Sequence, residues 1–385
     1  MAANILDTDL YKLTMQNAVI KKFPDAWVEY SFFNRGKHKF PEGFGKELRK
    51  VVDAFADIKV IKEDIDFLRE KCYYFDPVYL GFLKGYQFDP SEVQIRQEGN
   101  ELDVTIEGLW YRTILWEVPL MAAICELYYN MTSLNQNALD EGEVRENNRT
   151  KADAIKEIGV KVAEFGTRRR FSFANQRQFI IDAHEILAGT SNLFFARQYG
   201  LTPIGTQAHE WYSFHAAKFG FAMANQIGMK NWVDVYQGDL GIALPDTFTT
   251  KAFLRSFNTM YAKLFDGTRQ DSGDSLEYTD MLVNHYQNLR IDPTTKSIVY
   301  SDGIDSVEKI QNIHNYAKGK VKDGYGIGTW FTNDVGVRPM NIVIKLVGMW
   351  EKGLGWTSAI KLSDHPTKHT GDEWMINLCK NTLNI

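Results

Sequence analysis

The chain is poor in cysteine: three residues, Cys72, Cys125 and Cys379, are scattered over 385 positions and form no CxxC pair. Disulfide frameworks and structural zinc sites need spaced pairs, so neither is expected, and the compartment reads as reducing. Long apolar runs are also missing. The longest, ILWEVPLMAAIC at 114–125, is interrupted by Glu117 and Pro119 and falls short of the roughly 20 residues of a membrane span. The opening MAANILDTDLYK lacks the basic start and apolar core of a secretory signal. The expectation is a cytoplasmic protein with no membrane partner. Positive charge is not in excess either: the net charge is -5, and the run of three basic residues is Arg168-Arg169-Arg170. Nucleic-acid binders carry a basic face, so nucleic acid is not an expected partner. Small anions need only a few cations and remain open. There is no short repeat or low-complexity tract, no GxxxxGK[ST], and no GxGxxG followed by a distant acid. P-loop and dinucleotide-binding readings are therefore unsupported.

What is present is an ordinary globular composition, 44 % hydrophobic and 24 % charged, enough for one large domain with an appendage or for two. Up to about residue 110 the chain mixes strand-like pieces, WVEYSFF and ELDVTIEG, with helical ones such as DAFADIKVIKEDIDFLREK. From about residue 160 a rhythm sets in. Short apolar runs end in clusters of Gly, Thr, Ser, Asp or Arg, and helical stretches such as FANQRQFIIDAHEIL and SVEKIQNIHNYAKG follow several of them. The clusters are EFGTRRR (164–170), AGTSN (188–192), GTQAHE (205–210), LPDTF (244–248), DGTRQDSGD (266–274), SDGID (301–305) and GIGT (326–329). Strands alternating with helices predict parallel strands joined by crossovers. A β/α barrel would open every such loop onto one face, whereas a doubly wound sheet would gather only those near its switch point. The expected fold is α/β, an irregular β/α barrel at 121–349, with a smaller α+β domain from residues 1–120 to which 350–385 returns.

Each cluster has a bland reading beside the chemical one. His209 and His215 are six apart, about 600° or a net ~120° around a helix, which does not suit a shared metal. A packed core histidine is as good an account of His209 from its environment, until its place at an expected strand end among loaded clusters is weighed. DGTRQDSGD makes a good turn, and equally a loop whose carboxylates could hold ribose hydroxyls with Arg269 near an anion. GIGTW is either a tight turn or a nest of amides for phosphate. Of the three arginines, Arg168, after Gly166-Thr167, is the one expected to face inward, where a guanidinium fork grips carboxylate or phosphate. Together the clusters suit a small, phosphorylated sugar substrate with Mg²⁺, whose ligands are carboxylates, waters and phosphate oxygens. No residue is assigned as a metal ligand.

The texts ILDTDLYKLTMQNAV (5–19), EFGTRRRFS, GTSN, GTQAHEW, RQDSGD and GIGT followed by NIVIKLV resemble nicotinate phosphoribosyltransferases, in family order over nearly the whole chain. The resemblance implies a type II phosphoribosyltransferase fold. It also implies a reaction joining nicotinate to 5-phosphoribosyl 1-pyrophosphate, coupled to ATP hydrolysis in NAD salvage. On that resemblance His209 matches the histidine phosphorylated by ATP, with Asp246 hydrogen-bonded to it. Phe165 stacks on the pyridine ring, and Tyr11 covers the other face, contributed by the neighbouring subunit if the protein is a homodimer. Arg168 meets the nicotinate carboxylate or a nearby phosphate. Arg269 and Asp271 hold the pyrophosphate and ribose ends, Asp302 lies near the ribose, and Gly328 and Thr329 cradle the 5-phosphate. Ser191 stands where nicotinamide-using relatives carry Asp, which favours the acid over the amide. Trp330 departs from the basic residue expected after GIGT. The alternatives are a nicotinamide-specific enzyme, a non-catalytic barrel that senses a phosphoribosyl ligand and a zinc hydrolase.

Overall fold

The computed structural model describes residues 4–365 and 369–385. The chain passes repeatedly between two compact units. One holds the chain up to Asn17 with 29–205 and 327–345; the other holds 18–28, 206–326 and 346–385.

In the first unit β1 (Trp27–Asn34), β2 (Val93–Glu98) and β3 (Glu101–Leu109) lie side by side with β3 in the middle. β2 and β3 are an antiparallel hairpin that pairs Glu98 with Glu101 across a Gly99-Asn100 turn, where Gly99 takes φ 58°. β3 buries Leu102, Val104 and Ile106 while Glu101, Asp103 and Glu107 face water, the period-two pattern of a sheet covered on one face. The segment 53–71, expected to be helical, is two helices, Phe44–Ala54 and Lys62–Lys71. A 3₁₀ turn at Phe55–Asp57 and the extended Ile58 divide them. Asp64 caps the second helix by accepting from the Ile61 amide at 3.1 Å. Two short parallel strands, β4 (Val162–Glu164) and β5 (Leu187–Thr190), complete this unit's sheet structure. The helix Phe173–Asp182 links them, and its Phe179 stacks on Phe331 with centroids 4.1 Å apart.

In the second unit β6 (Ile242–Ala243), β7 (Gly267–Gln270), β8 (Ser297–Tyr300) and β9 (Lys322–Ile327) pair in sequence, all parallel. Helices Ser275–Asn288 and Val307–Ala317 provide the crossovers. β10 (Ile342–Glu351) and β11 (Gly355–Ser358) pair antiparallel from Gly348 onward. The α/β class expected from the rhythm is therefore borne out, with an antiparallel sheet beside parallel strands. Those strands are short, two to six residues, and no closed ring of them is defined among the described residues. The loaded clusters at 164, 244, 301 and 326 lie at the end of a parallel strand, whereas those at 188 and 266 contain β5 and β7 themselves, and the apolar run before 266 is a helix, Thr259–Leu264. GTQAHE does neither. LTPI before it forms only an isolated bridge, Thr190 to Pro203, and His209 is the first residue of the helix His209–Phe219. Pro203, which has no N–H to give a ladder, and Gly205, at φ 155°, interrupt the run. Among the described residues no helix is long and apolar enough to cross a membrane.

Candidate functional site

The expected functional residues fall into two clusters, one in each unit. In the second unit the buried imidazole of His209 begins its helix. The unpaired amides of a helix N-terminus leave partial positive charge there, which disfavours a charged imidazole and favours anions. Nδ1 of His209 is 3.0 Å from the Thr247 hydroxyl. Nε2 is 2.9 Å from Asp271 Oδ2 and 2.8 Å from Lys361 Nζ. Burial and then the Lys361 charge push the His209 pKa down to about 4, against the opposing pull of Asp246 and Asp271. The ring is therefore neutral near pH 7, with one N–H and one lone pair. Nε2 cannot serve Asp271 and Lys361 at once, so each of two arrangements satisfies Thr247 and one of those two groups. Either Nε2–H donates to Asp271 and Nδ1 accepts from Thr247, or Nδ1–H donates to Thr247 and Nε2 accepts from Lys361.

Asp246 does not make the hydrogen bond expected of it. Its Oδ1 is 3.7 Å from Nε2, and its Oδ2 instead accepts from the Ser272 hydroxyl at 2.7 Å. The group that meets Nδ1 is Thr247, the next one along, whose hydroxyl can donate or accept. Asp246 lies on the 3₁₀ turn Pro245–Phe248, and that turn presents the threonine, rather than the acid, to Nδ1. Arg269 and Asp271 pair with each other at 2.5 Å, and Ser301 joins them, its oxygen accepting from Arg269 Nε at 2.7 Å. Burial pushes the Asp271 carboxyl up, but Arg269, His209 and Lys361 together hold it well below the usual range. Asp302 is half-buried on the loop after β8. The second histidine of the zinc reading is otherwise engaged. His215 Nδ1 meets the Trp211 carbonyl at 2.6 Å, and its Nε2 is 3.0 Å from the Asn231 amide.

In the first unit the arginine run divides its labour. Arg170 is the fully buried member. Its guanidinium holds Asp7 through two bonds of 2.7 Å, with both side chains 1 % exposed, and also donates to Gln176 at 3.0 Å. Arg168, the one expected to face inward, is one-third exposed and lies over the Tyr11 ring at 6.0 Å from its centroid. Glu117 sits 3.5 Å from Arg168 and 2.5 Å from the buried Lys12. Burial opposes its charge, yet Lys12 and Arg168 hold its pKa at about 2. Ser191 donates to Asp9 at 2.8 Å, so a carboxylate stands at this position after all, supplied by the N-terminal text. Burial raises the Asp9 pKa, with Arg168 pulling the other way.

Phe165 is fixed by its amide, which donates to the Ile327 carbonyl at 2.7 Å. Gly166 has no room for a side chain: a Cβ would stand 2.2 Å from Thr332 Oγ1 and 2.8 Å from the Gly328 carbonyl oxygen. Gly328 and Thr329 are half-buried at the start of the turn Thr329–Thr332. A lysine packs against Trp330. Lys151 donates to the Trp330 carbonyl at 2.8 Å, lies 5.2 Å from its ring centroid and pairs with Asp334 at 2.6 Å.

Sequence reasoning missed Lys12, Asp9 and Glu117 in one unit and Thr247, Ser272, Ser301 and Lys361 in the other. Asp9 and Lys12 lie inside DTDLYK, and Thr247, Ser272 and Ser301 each neighbour a residue or cluster already singled out. Lys361 carried no such signal, because no loaded strand end precedes KLSD.

Loops after parallel strands that carry arginine, carboxylate and hydroxyl groups, with a neutral histidine at a helix N-terminus, define a class: α/β enzymes whose chemistry is held on the loops of a parallel scaffold. The model of the nicotinate phosphoribosyltransferase (NAPRTase) N-terminal domain matches residues 6–125, and that of the NAPRTase family matches 160–385. The chain belongs to the nicotinate phosphoribosyltransferase family. It is 49 % identical over 387 residues to a nicotinate phosphoribosyltransferase of Chromohalobacter salexigens, covering 100 % of this chain and 98 % of that one. It is 48 % identical to one of Desulforapulum autotrophicum, covering 100 % and 99 %. A crystal structure of the Porphyromonas gingivalis nicotinate phosphoribosyltransferase superimposes with a TM-score of 0.95 at 40 % identity, covering both chains fully.

Proposed function

We propose that this chain joins nicotinate to 5-phosphoribosyl 1-pyrophosphate, giving nicotinate mononucleotide and pyrophosphate, and couples the reaction to ATP hydrolysis through a phosphohistidine at His209. One observation carries the coupling: a neutral imidazole at a helix N-terminus, with its Nε2 between Asp271 and Lys361. Transfer at the sugar passes through a cationic C1 centre, and the pyridine nitrogen is itself the nucleophile. The protein's part is to place the reactants and to receive the departing pyrophosphate. Arg269 is the cation assigned to that pyrophosphate, and Asp271 and Asp302 are assigned to ribose hydroxyls. Gly328 and Thr329 are assigned to the 5-phosphate. Arg168 and Tyr11, already in contact, are assigned to the carboxylate and the ring of nicotinate, with Phe165 as the second aromatic surface.

Asp246 and Asp271 offer carboxylate oxygens within 4.8 Å of each other, and Asp246 Oδ1 is buried with no hydrogen-bond partner among the described residues; these two carboxylates, rather than the neighbouring His209 nitrogen, suit Mg²⁺. When bound, the ion would neutralise phosphate charge. Asp246 and Asp271 are the carboxylates assigned to hold it.

The test is formation of nicotinate mononucleotide with and without ATP, with nicotinamide in parallel, in wild type and His209→Ala. The expected result is turnover of nicotinate, little or none of nicotinamide, and loss of the ATP stimulation in the variant. ATP stimulation that survives in His209→Ala would sink the phosphohistidine route.

A further inference from the structure

Lys361 is held in place from several sides, although among the described residues its side chain makes no carboxylate contact of hydrogen-bond length. Its backbone pairs with Thr370 in both directions, at 2.9 and 2.8 Å. The preceding Ile360 carbonyl accepts from Ser213, one turn along the His209 helix, at 2.9 Å. The following Leu362 amide donates to the Thr247 carbonyl at 2.8 Å. Three residues on, Asp364 accepts from the Thr250 amide at 2.7 Å and from its hydroxyl at 2.5 Å, while its own amide donates to Ser272 Oγ at 3.1 Å. The segment is thus fastened to the helix bearing His209, to the turn bearing Thr247 and to the loop bearing Asp271. Ordering a lysine side chain costs rotamer freedom, normally offset by a carboxylate partner. Here the nearer carboxylate, Asp246 Oδ2, is 3.6 Å away, and the short contact, 2.8 Å, is to the ring nitrogen of His209.

An ammonium has donors only, so a 2.8 Å contact to Nε2 is satisfied when that nitrogen presents its lone pair and Nδ1–H points at Thr247. That tautomer is the nucleophilic one. Asp271 and Asp246 flank the same nitrogen, and an arriving phosphoryl group meets two negative charges unless a cation travels with it. Arg269 is already paired with Asp271.

We propose that Lys361 is a catalytic residue of the phosphoryl-transfer step, resting on the Nε2 lone pair in the free enzyme and moving onto the phosphoryl oxygens as they reach that nitrogen. The proposal rests on the phosphohistidine reading above. In the step, the Nε2 lone pair forms the N–P bond while the bond from the γ-phosphorus to the bridging oxygen breaks, its electron pair leaving on ADP. The Nδ1 proton stays on the ring, directed at Thr247. Lys361 keeps its proton throughout and exchanges one acceptor, nitrogen, for another, a phosphoryl oxygen.

The experiment is rapid-quench labelling of the full chain with γ-labelled ATP and Mg²⁺, with acid-labile phosphate counted and its site mapped, for wild type, K361M, K361R and H209A. K361M is expected to label about 100-fold more slowly, the scale of losing one charge-stabilising donor. K361R keeps the charge and is expected to stay within about tenfold of wild type. Urea midpoints of all four report folding, and K361Q replaces K361M if that variant does not accumulate folded. Wild-type labelling rates in K361M or K361Q, or an equal loss in K361R, overturn the role of Lys361 while His209 labelling in wild type stands. Absence of label on His209 in wild type overturns the phosphohistidine reading, and this proposal with it, a result distinguishable from the first.

Discussion

At the scale of single residues, the clusters show charge placed by neighbours rather than by the residues themselves. Ser191 was read as the specificity position because it is not an acid. Yet Asp9 lies 2.8 Å from its hydroxyl, and burial raises that acid's pKa. Replacing Ser191 with Asp would set two carboxylates within hydrogen-bond distance beside Arg168, consuming the positive charge assigned to the nicotinate carboxylate. Ser191→Asp is expected to raise the KM for nicotinate by about tenfold or more, the equivalent of roughly 1.4 kcal/mol, with a smaller effect on nicotinamide. Steady-state kinetics with both bases checks this, and an unchanged ratio of the two KM values would contradict it. Thr247→Val tests the tautomer in the same way. Loss of a hydrogen bond worth about 1 kcal/mol is expected to slow labelling of His209 by roughly fivefold at unchanged nucleotide affinity.

At the scale of elements, most of the site-bearing loops were legible because Gly, Thr, Ser, Asp and Arg gather where short apolar runs stop. That signal correctly placed the loops after β4, β6, β8 and β9, whereas at AGTSN and DGTRQDSGD the small and polar residues themselves form the strands β5 and β7. It failed at GTQAHE, since an apolar run alone does not distinguish a strand from extended chain entering a helix. It also failed for Lys361, which arrives from a turn fixed by contacts far apart in sequence. Asp246 was legible as a member of the cluster but not in its partner, because one residue of rotation in a 3₁₀ turn exchanges an acid for a threonine. The loop after β4 carries its own constraint. A methyl group on residue 166 would collide with Thr332 Oγ1 at 2.2 Å, its Cγ2 at 2.4 Å and the Gly328 carbonyl oxygen at 2.8 Å. Gly166→Ala is expected to cost about 1–3 kcal/mol, as overpacking does. Adding Thr332→Ala should recover only part of that, because the backbone oxygen cannot be trimmed. Urea unfolding of the single and double variants measures both.

At the scale of the whole molecule, the modest net charge of -5 hides a first unit with buried ionised and ionisable groups close together. Asp7 and Arg170 satisfy each other, and removing one partner of so buried a pair is costly. Among the described residues Glu164 has no such cation in contact. Its carboxyl oxygens receive Gly166 N–H at 2.5 Å, the Thr190 hydroxyl at 2.6 Å and the Gln176 amide at 3.1 Å. Burial nonetheless pushes its pKa up to about 7, with the charge of Asp9 adding to the rise and the hydrogen bonds opposing it. Between the unfolded value, 4.5, and about 7 the folded chain holds a proton that the unfolded chain has released. Glu164 therefore contributes stability that is fully present below pH ~4.5 and is lost as pH rises through about 7. The loss amounts to roughly 3 kcal/mol at 1.36 kcal/mol per unit. Glu164→Gln keeps the shape and a carbonyl acceptor while removing the titration, so its urea midpoint should lack this component of the fall between pH 5 and pH 8. Wild type should lose ground to the variant steadily over that interval. Parallel curves for the two proteins would mean that Glu164 is ionised in the folded chain across the whole range, with its hydrogen bonds outweighing its burial.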